Sequence, residues 1–322
     1  RLLFITIIVL QSILAIRYGL KVPWGGDEWF SYKNFTLMGL PFSIITSLLK
    51  EILGQVNTEN YILYRAQGLL WSSIAYYFLY RISTKSDYDE LSKFAIFIAV
   101  FLGLNPFFLE TSQFFRYYQL YITSSIIITF GILKYDSVFR QRRKWFYIAL
   151  FSSFLIHLFL FIQLIVYIIF KELFQLNRKN IILILTTFGF VALLIIPNLP
   201  SILVWSWHNL FPAHAFDFPL VHRGFSLSTF LKPFMIIFTF MFGRNLSPFS
   251  YFFLDIIYII AGIGIIYGIY FSLKNKPELR SPILFTALLP LFVSVFIIEP
   301  ISLPQMTQLA PQHVIFLFPW VA

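Results

Sequence analysis

Long apolar runs dominate this chain. They fall near residues 2–20, 60–82, 93–110, 116–135, 180–204, 250–273 and 281–298. A helix needs ~20 apolar residues to cross ~30 Å of hydrocarbon. Two shorter runs, 145–157 and 158–171, read as a tilted pair turning at His157, and a last one covers 312–322. Only 12% of the residues are charged against 59% hydrophobic, and a soluble domain carries about twice that charged fraction. The short alternating segments of a membrane barrel are missing. The expected fold is all-α: a polytopic transmembrane helical bundle of about 10 spans, organised as a single domain over residues 1–322. The opening segment LLFITIIVLQSILAI has no small-x-small cleavage site after it and reads as a retained signal anchor. The sequence begins without Met and stops inside the apolar run VIFLFPWVA, so it reads as a fragment lacking C-terminal helices.

The net charge of +10 does not point to nucleic acid, because the cations sit in short loops. RISTKSDYDELSK, KYDSVFRQRRK, KELFQLNRK and SLKNKPELR carry 3, 5, 3 and 3 Lys or Arg residues. Short basic loops mark the cytoplasmic side. The intervening segments, 21–58, 111–115, 205–249 and 299–311, are then extracytoplasmic. Two of them, 21–58 and 205–249, are sizeable and aromatic. Residues 41–53 are expected to form an amphipathic helix along the interface. Loops this apolar are expected to pack at the membrane surface and roof a cavity. The lipid bilayer is the first partner implied.

The outer side carries the chemistry. WGGDEWFSY sets Asp27 and Glu28 between aromatic rings, just after the first run. They stand at the expected start of a short helix, WFSYKNF, whose positive N-terminal end they would complement. A carboxylate in such a partly desolvated place is also a candidate general base. In NPFFLETSQFFRYYQLY, Asn105-Pro106 breaks the third run, and Ser112, Gln113 and Arg116 follow at the outer surface. An arginine there can pair with a lipid phosphate through its planar fork, or simply snorkel to headgroups. In NTENYILYRAQGLLW, Arg65 lies inside the second run and needs a partner, for which Glu110 is a candidate.

Further polar residues are scattered over the same side: His157, His208, His214, Asp217, His222, Arg223, Lys232, Arg244, Glu299, Gln312 and His313. No pair of histidines has zinc-site spacing, so no metal site is indicated, although a divalent cation held by Asp27 or Glu28 remains open. Arg223, Lys232 and Arg244 are candidate holders of a phosphate headgroup. Asp255, inside a run, has no assigned role. With 0 Cys there is no thiol chemistry. P-loop, dinucleotide and serine-hydrolase motifs are absent too.

These motifs resemble those of membrane glycosyltransferases with the C-type fold. The likeness is to the protein-mannosyltransferase-like group, glycosyltransferase family 39 with the aminoarabinose-transferase-like enzymes. DEWFSY resembles the group's acidic first-loop motif. TENYILYRAQGLLW resembles its Glu-x-x-x-x-x-Arg stretch. NPFFLETSQFFRYYQLY resembles its NP…SQEARxYxL segment, with Phe114 and Phe115 replacing Glu and Ala. SSFLIHLFLFIQL resembles a short helical turn that often bears His or Lys, and APQHVIFLFPW a later PRYLxxxxP segment. The motifs occur in the family's order over most of the chain.

The resemblance implies an inverting glycosyltransferase, a hexosyl- or pentosyltransferase, in a bacterial cytoplasmic membrane with its site facing outward. The donor would be a polyprenyl-phosphate sugar, and the acceptor an envelope glycan, lipid or protein. Asp27 would act as base, with Glu28 orienting the acceptor or supporting Asp27. Arg116, Arg65, Lys232, Arg244 and His313 are the candidate donor-phosphate ligands, and Gln113, Tyr117 and His157 the candidate substrate contacts. Gln312-His313 departs from the family's Arg-Tyr, so that duty would move to Arg244, Lys232 or His313. The other class to be weighed is a transporter or lipid-linked-sugar flippase. It would need charged or broken segments near the bilayer midplane; Arg65 and Asp255 are its candidates.

Overall fold

The computed structural model describes residues 2–20, 26–33, 39–84, 89–134, 143–173 and 252–289, with a few positions between 185 and 241. Its elements are helices, and no strand occurs among the described residues. In chain order they are α1 (Leu2–Gly19), α2 (Gly26–Lys33), α3 (Leu40–Leu53), α4 (Tyr61–Ser83), α5 (Asp89–Leu104), α6 (Pro106–Thr111), α7 (Tyr118–Leu133), α8 (Arg143–Ile156) and α9 (Leu158–Leu173), then α10 (Phe252–Asn275) and α11 (Pro277–Ile283), which runs on into a π-helical turn, Leu284–Leu288. The expected all-α class is what the structure shows. Among the described residues no helix is long and apolar enough to cross a membrane.

Most of the expected boundaries recur within a few residues. The expected run 93–110 divides at Asn105 into α5 and α6. Asn105 Oδ1 accepts from Phe108 N at 2.9 Å and so caps α6, while Pro106 takes the first helical position, where a missing N–H does no harm. The expected run 281–298 is described only to residue 289. There the helix widens after Pro282, and Gln163 Nε2 on α9 donates to Thr286 O at 2.7 Å inside the widened turn. The runs 180–204 and 312–322 lie outside the described residues, apart from isolated positions in the first.

Helix α4 is the central post. It packs against α1, α5 and α7. Phe4 meets Tyr80, Gln11 Nε2 donates to Ser72 Oγ, and Tyr61 OH donates to Leu20 O, so α1 and α4 run antiparallel. Thr123 Oγ1 donates to Trp71 O at 2.8 Å and Phe78 meets Phe130 ring to ring at 5.8 Å, so α4 and α7 run parallel. Parallel packing puts the N-terminal ends of α4 and α7 side by side, and with them Arg65 and Arg116. Gly68 allows this closeness: a Cβ there would lie 2.1 Å from Ser112 O.

The core between these helices is aromatic. Tyr64, Tyr76, Phe107, Phe108, Phe115 and Tyr121 are all buried. The outward faces are apolar as well: Leu2, Ile5, Val9 and Ile13 on α1 and Ile260, Ile263 and Ile266 on α10 are exposed. Helix α3 is amphipathic, as expected for residues 41–53, with its apolar stripe turned outward. It buries Phe42 and Thr46, while its open side carries the stripe Ile44, Leu48 and Ile52.

Candidate functional site

The segment after α1 places the acid pair in the first turn of α2. Glu28 and Tyr32 are one helical turn apart and therefore share a side, and both are anchored inward. The Tyr32 ring meets Tyr64 edge-on at 5.6 Å. Its hydroxyl accepts from Val56 N at 3.2 Å, and Lys50 Nζ donates to its main-chain carbonyl while lying 4.2 Å from the ring centroid. These contacts fix α2 against α3 and α4.

Glu28 is fully buried, at 0% exposure. Arg65 reaches it with a two-pronged fork: Nε donates to Oε1 at 2.8 Å and Nη2 donates to Oε2 at 2.7 Å. The main-chain N–H of Phe115 also donates to Oε1, at 2.9 Å. A buried charge needs such partners, since leaving one unmatched costs several kcal/mol. One carboxylate thereby ties together α2, α4 and the turn between α6 and α7. Arg65 is candidate phosphate ligand and structural partner at once, and the geometry gives it the second role. Its carboxylate is Glu28, where the sequence offered Glu110 as a candidate.

The residue after Phe115 is Arg116. Its Nη1 donates to Ser31 Oγ at 3.4 Å, and Nη2 donates to Tyr118 OH at 3.1 Å. The guanidinium lies 5.1 Å from the Tyr118 ring centroid, within cation–π range. Arg116 is half-buried and sits in the turn before α7 rather than inside that helix. Ser31 is four positions after Asp27, so the two positions share one side of α2, about 6 Å apart along its axis. The Asp27 side chain itself lies outside the described residues.

Gln113 belongs to the same turn. Its Nε2 donates to Leu109 O at 2.8 Å, while its Oε1 is buried and meets no donor among the described residues. Tyr117 flanks Arg116, and His157, in the break between α8 and α9, stacks on Tyr121 at 4.2 Å and 13°. The Tyr117 ring lies 6.0 Å from His157. Gln113 and Tyr117 are thus joined to Arg116 within one turn, His157 is linked to it through the Tyr117 ring, and Glu28 with Arg65 is linked to it through the N–H of the adjacent Phe115. Lys232, Arg244 and His313 lie outside the described residues, as do His208, His214, Asp217, His222, Arg223, Glu299, Gln312 and the side chain of Asp255. Among the described residues no three His, Asp or Glu side chains converge as metal ligands.

Sequence reasoning passed over several members of this arrangement. Tyr32, Tyr64, Lys50 and Tyr121 carry no cue that sets them apart from the other aromatic and basic residues of the chain, and a main-chain donor such as Phe115 N leaves no mark in a sequence. The Glu28–Arg65 pairing did have a cue: each is a charge in apolar surroundings, and each therefore requires a partner. No family model, curated protein or solved structure matches the chain.

Proposed function

We propose that this protein is a membrane-embedded glycosyltransferase that moves a sugar from a polyprenyl-phosphate donor to a hydroxyl on an envelope glycan, lipid or protein. The observation that carries the reading is the meeting of three sequence motifs at one point: the acid pair on α2, Arg65 on α4 and Arg116 in the α6–α7 turn, linked by the Glu28 fork and the Arg116–Ser31 contact. A membrane setting is supported by the apolar side chains that α1, α3 and α10 turn outward. Water would charge heavily for so much exposed aliphatic surface, and lipid would not. The described helices individually fall short of a span, so this part of the reading rests on their faces rather than their lengths.

In the proposed reaction Asp27 accepts the proton of the acceptor hydroxyl. The hydroxyl oxygen bonds to the anomeric carbon, the bond from that carbon to the phosphate oxygen breaks, and polyprenyl phosphate leaves with the electron pair. Arg116 faces the departing phosphate, where a preorganised cation stabilises developing negative charge. Glu28 and Arg65 hold the frame that keeps Asp27 and Arg116 within one site. Gln113, Tyr117 and His157 are the proposed contacts of the sugar. The test is transfer from a labelled polyprenyl-phosphate sugar to lipid or glycan acceptors in membranes. Asp27→Asn should lower the rate by about 10²–10⁴, the usual worth of a placed base. Undiminished transfer in that variant rules out the base assigned here.

A further inference from the structure

We infer that Gly39 is a positioning residue for Arg116, acting through Tyr117; this rests on the reading of Arg116 as the phosphate cation. Gly39 precedes α3 with φ +72° and ψ 31°, in the left-handed region that favours glycine. It is buried, and its N–H donates to Ile156 O at 3.0 Å, beside the break at His157. Its bare α-carbon abuts Tyr117. A Cβ at position 39 would lie 2.6 Å from Tyr117 Cβ and 2.8 Å from its Cγ. Ordinary carbon contacts need 3.5–4.0 Å, so Tyr117 would have to retreat by about 1 Å.

Tyr117 has little room for that retreat on its own. It is bonded to Arg116, its ring stands against Tyr118 at 5.2 Å and near His157, and Tyr121 N donates to its carbonyl at 2.9 Å at the start of α7. A shift of Tyr117 therefore displaces Arg116 relative to Ser31 and α2. The missing side chain at 39 sets how closely the guanidinium approaches the face of α2 that carries position 27. The anion this spacing serves is a lipid-linked phosphate monoester.

Gly54 supplies an internal control. It also has a positive φ, +73°, but nothing lies within 4 Å of the place its Cβ would take. Its ψ of −157° makes alanine at least as strained there as at position 39. Gly39→Ala and Gly54→Ala thus share the backbone strain and differ in the Tyr117 contact. Two measurements are needed. One is the affinity of purified protein for polyprenyl phosphate in detergent micelles. The other is the yield of a short bismaleimide crosslink in a Ser31→Cys, Arg116→Cys background, which is clean because the chain has 0 Cys.

Gly39→Ala should weaken polyprenyl-phosphate binding by tenfold or more, in line with the ~10²-fold cost of a 1 Å misplacement, and should lower the crosslink yield. Gly54→Ala should stay within about twofold of the parent in both. Equal effects of the two substitutions, or none from Gly39→Ala, overturn the inference. If the parent does not bind polyprenyl phosphate, the proposed function fails, and the crosslink alone decides whether Gly39 positions residue 116. If Gly39→Ala does not fold, adding Tyr117→Gly removes the opposing Cβ at a helix-capping position that tolerates glycine. Where Tyr117→Gly alone folds, folding must then return in the double variant, and its failure to return overturns the inference.

Discussion

Arg65 closes on Glu28 with both prongs of its guanidinium, across 37 residues of sequence and with neither side chain more than 4% exposed. The pair lies where α2, α4 and the α6–α7 turn meet, and its chemistry accounts for why two charges sit in surroundings otherwise so apolar.

Glu28→Gln and Arg65→Met should each destabilise the fold by about 3–5 kcal/mol, the usual effect of stranding one partner of a buried pair. The double variant should recover a good part of that loss, because no lone charge is left. Thermal unfolding in detergent measures all three. A double variant no better than the sum of the singles would show that the pair is not coupled as described.

Arg116 should behave differently, being half-buried and hydrogen-bonded through two hydroxyls. Arg116→Gln should leave the unfolding temperature nearly unchanged and lower sugar transfer by about 10²–10³, the scale for losing one charge-stabilising donor. A loss of stability with unchanged turnover of the remaining folded protein would make it a structural residue instead.

Glycine substitutions should split by surroundings. Gly68→Ala drives a methyl to 2.1 Å from a main-chain carbonyl oxygen, and overpacking of this kind costs about 1–3 kcal/mol or more. Gly264→Ala, in the middle of α10 with open space around it, should be neutral or gain up to about 1 kcal/mol from helix propensity. Comparative unfolding of the two variants checks both signs.

Asn105 performs two tasks at the α5–α6 break: its oxygen caps α6 and its Nδ2 donates to Phe240 O at 2.7 Å. Asn105→Ala should cost about 1–2 kcal/mol, as lost caps do. Asn105→Asp keeps the cap yet faces that carbonyl with a carboxylate, and should cost more. An Asn105→Asp variant as stable as the parent would mean that the bond to Phe240 contributes nothing.

The helices were legible because apolar runs and breakers are local. Asn105-Pro106 announced a break in a run of hydrophobes, and His157 marked the division of α8 from α9. The pairing of runs was not legible. Nothing in the alternation of apolar residues states that α4 and α7 lie parallel, and that arrangement is what brings Arg65 level with Arg116. The site was half legible for the same reason. Unusual side chains such as Asp27, Arg65 and Arg116 stand out against an apolar background, whereas Gly39 and the amide of Phe115 act through having no side chain or through the main chain.

One carboxylate gathers stretches that lie 37 and 87 positions apart along the sequence. Segments linking those stretches can lengthen or shorten while the knot itself stays tied. The acid, the guanidinium and the turn that offers its amide stand or fall together, because removing one strands the others.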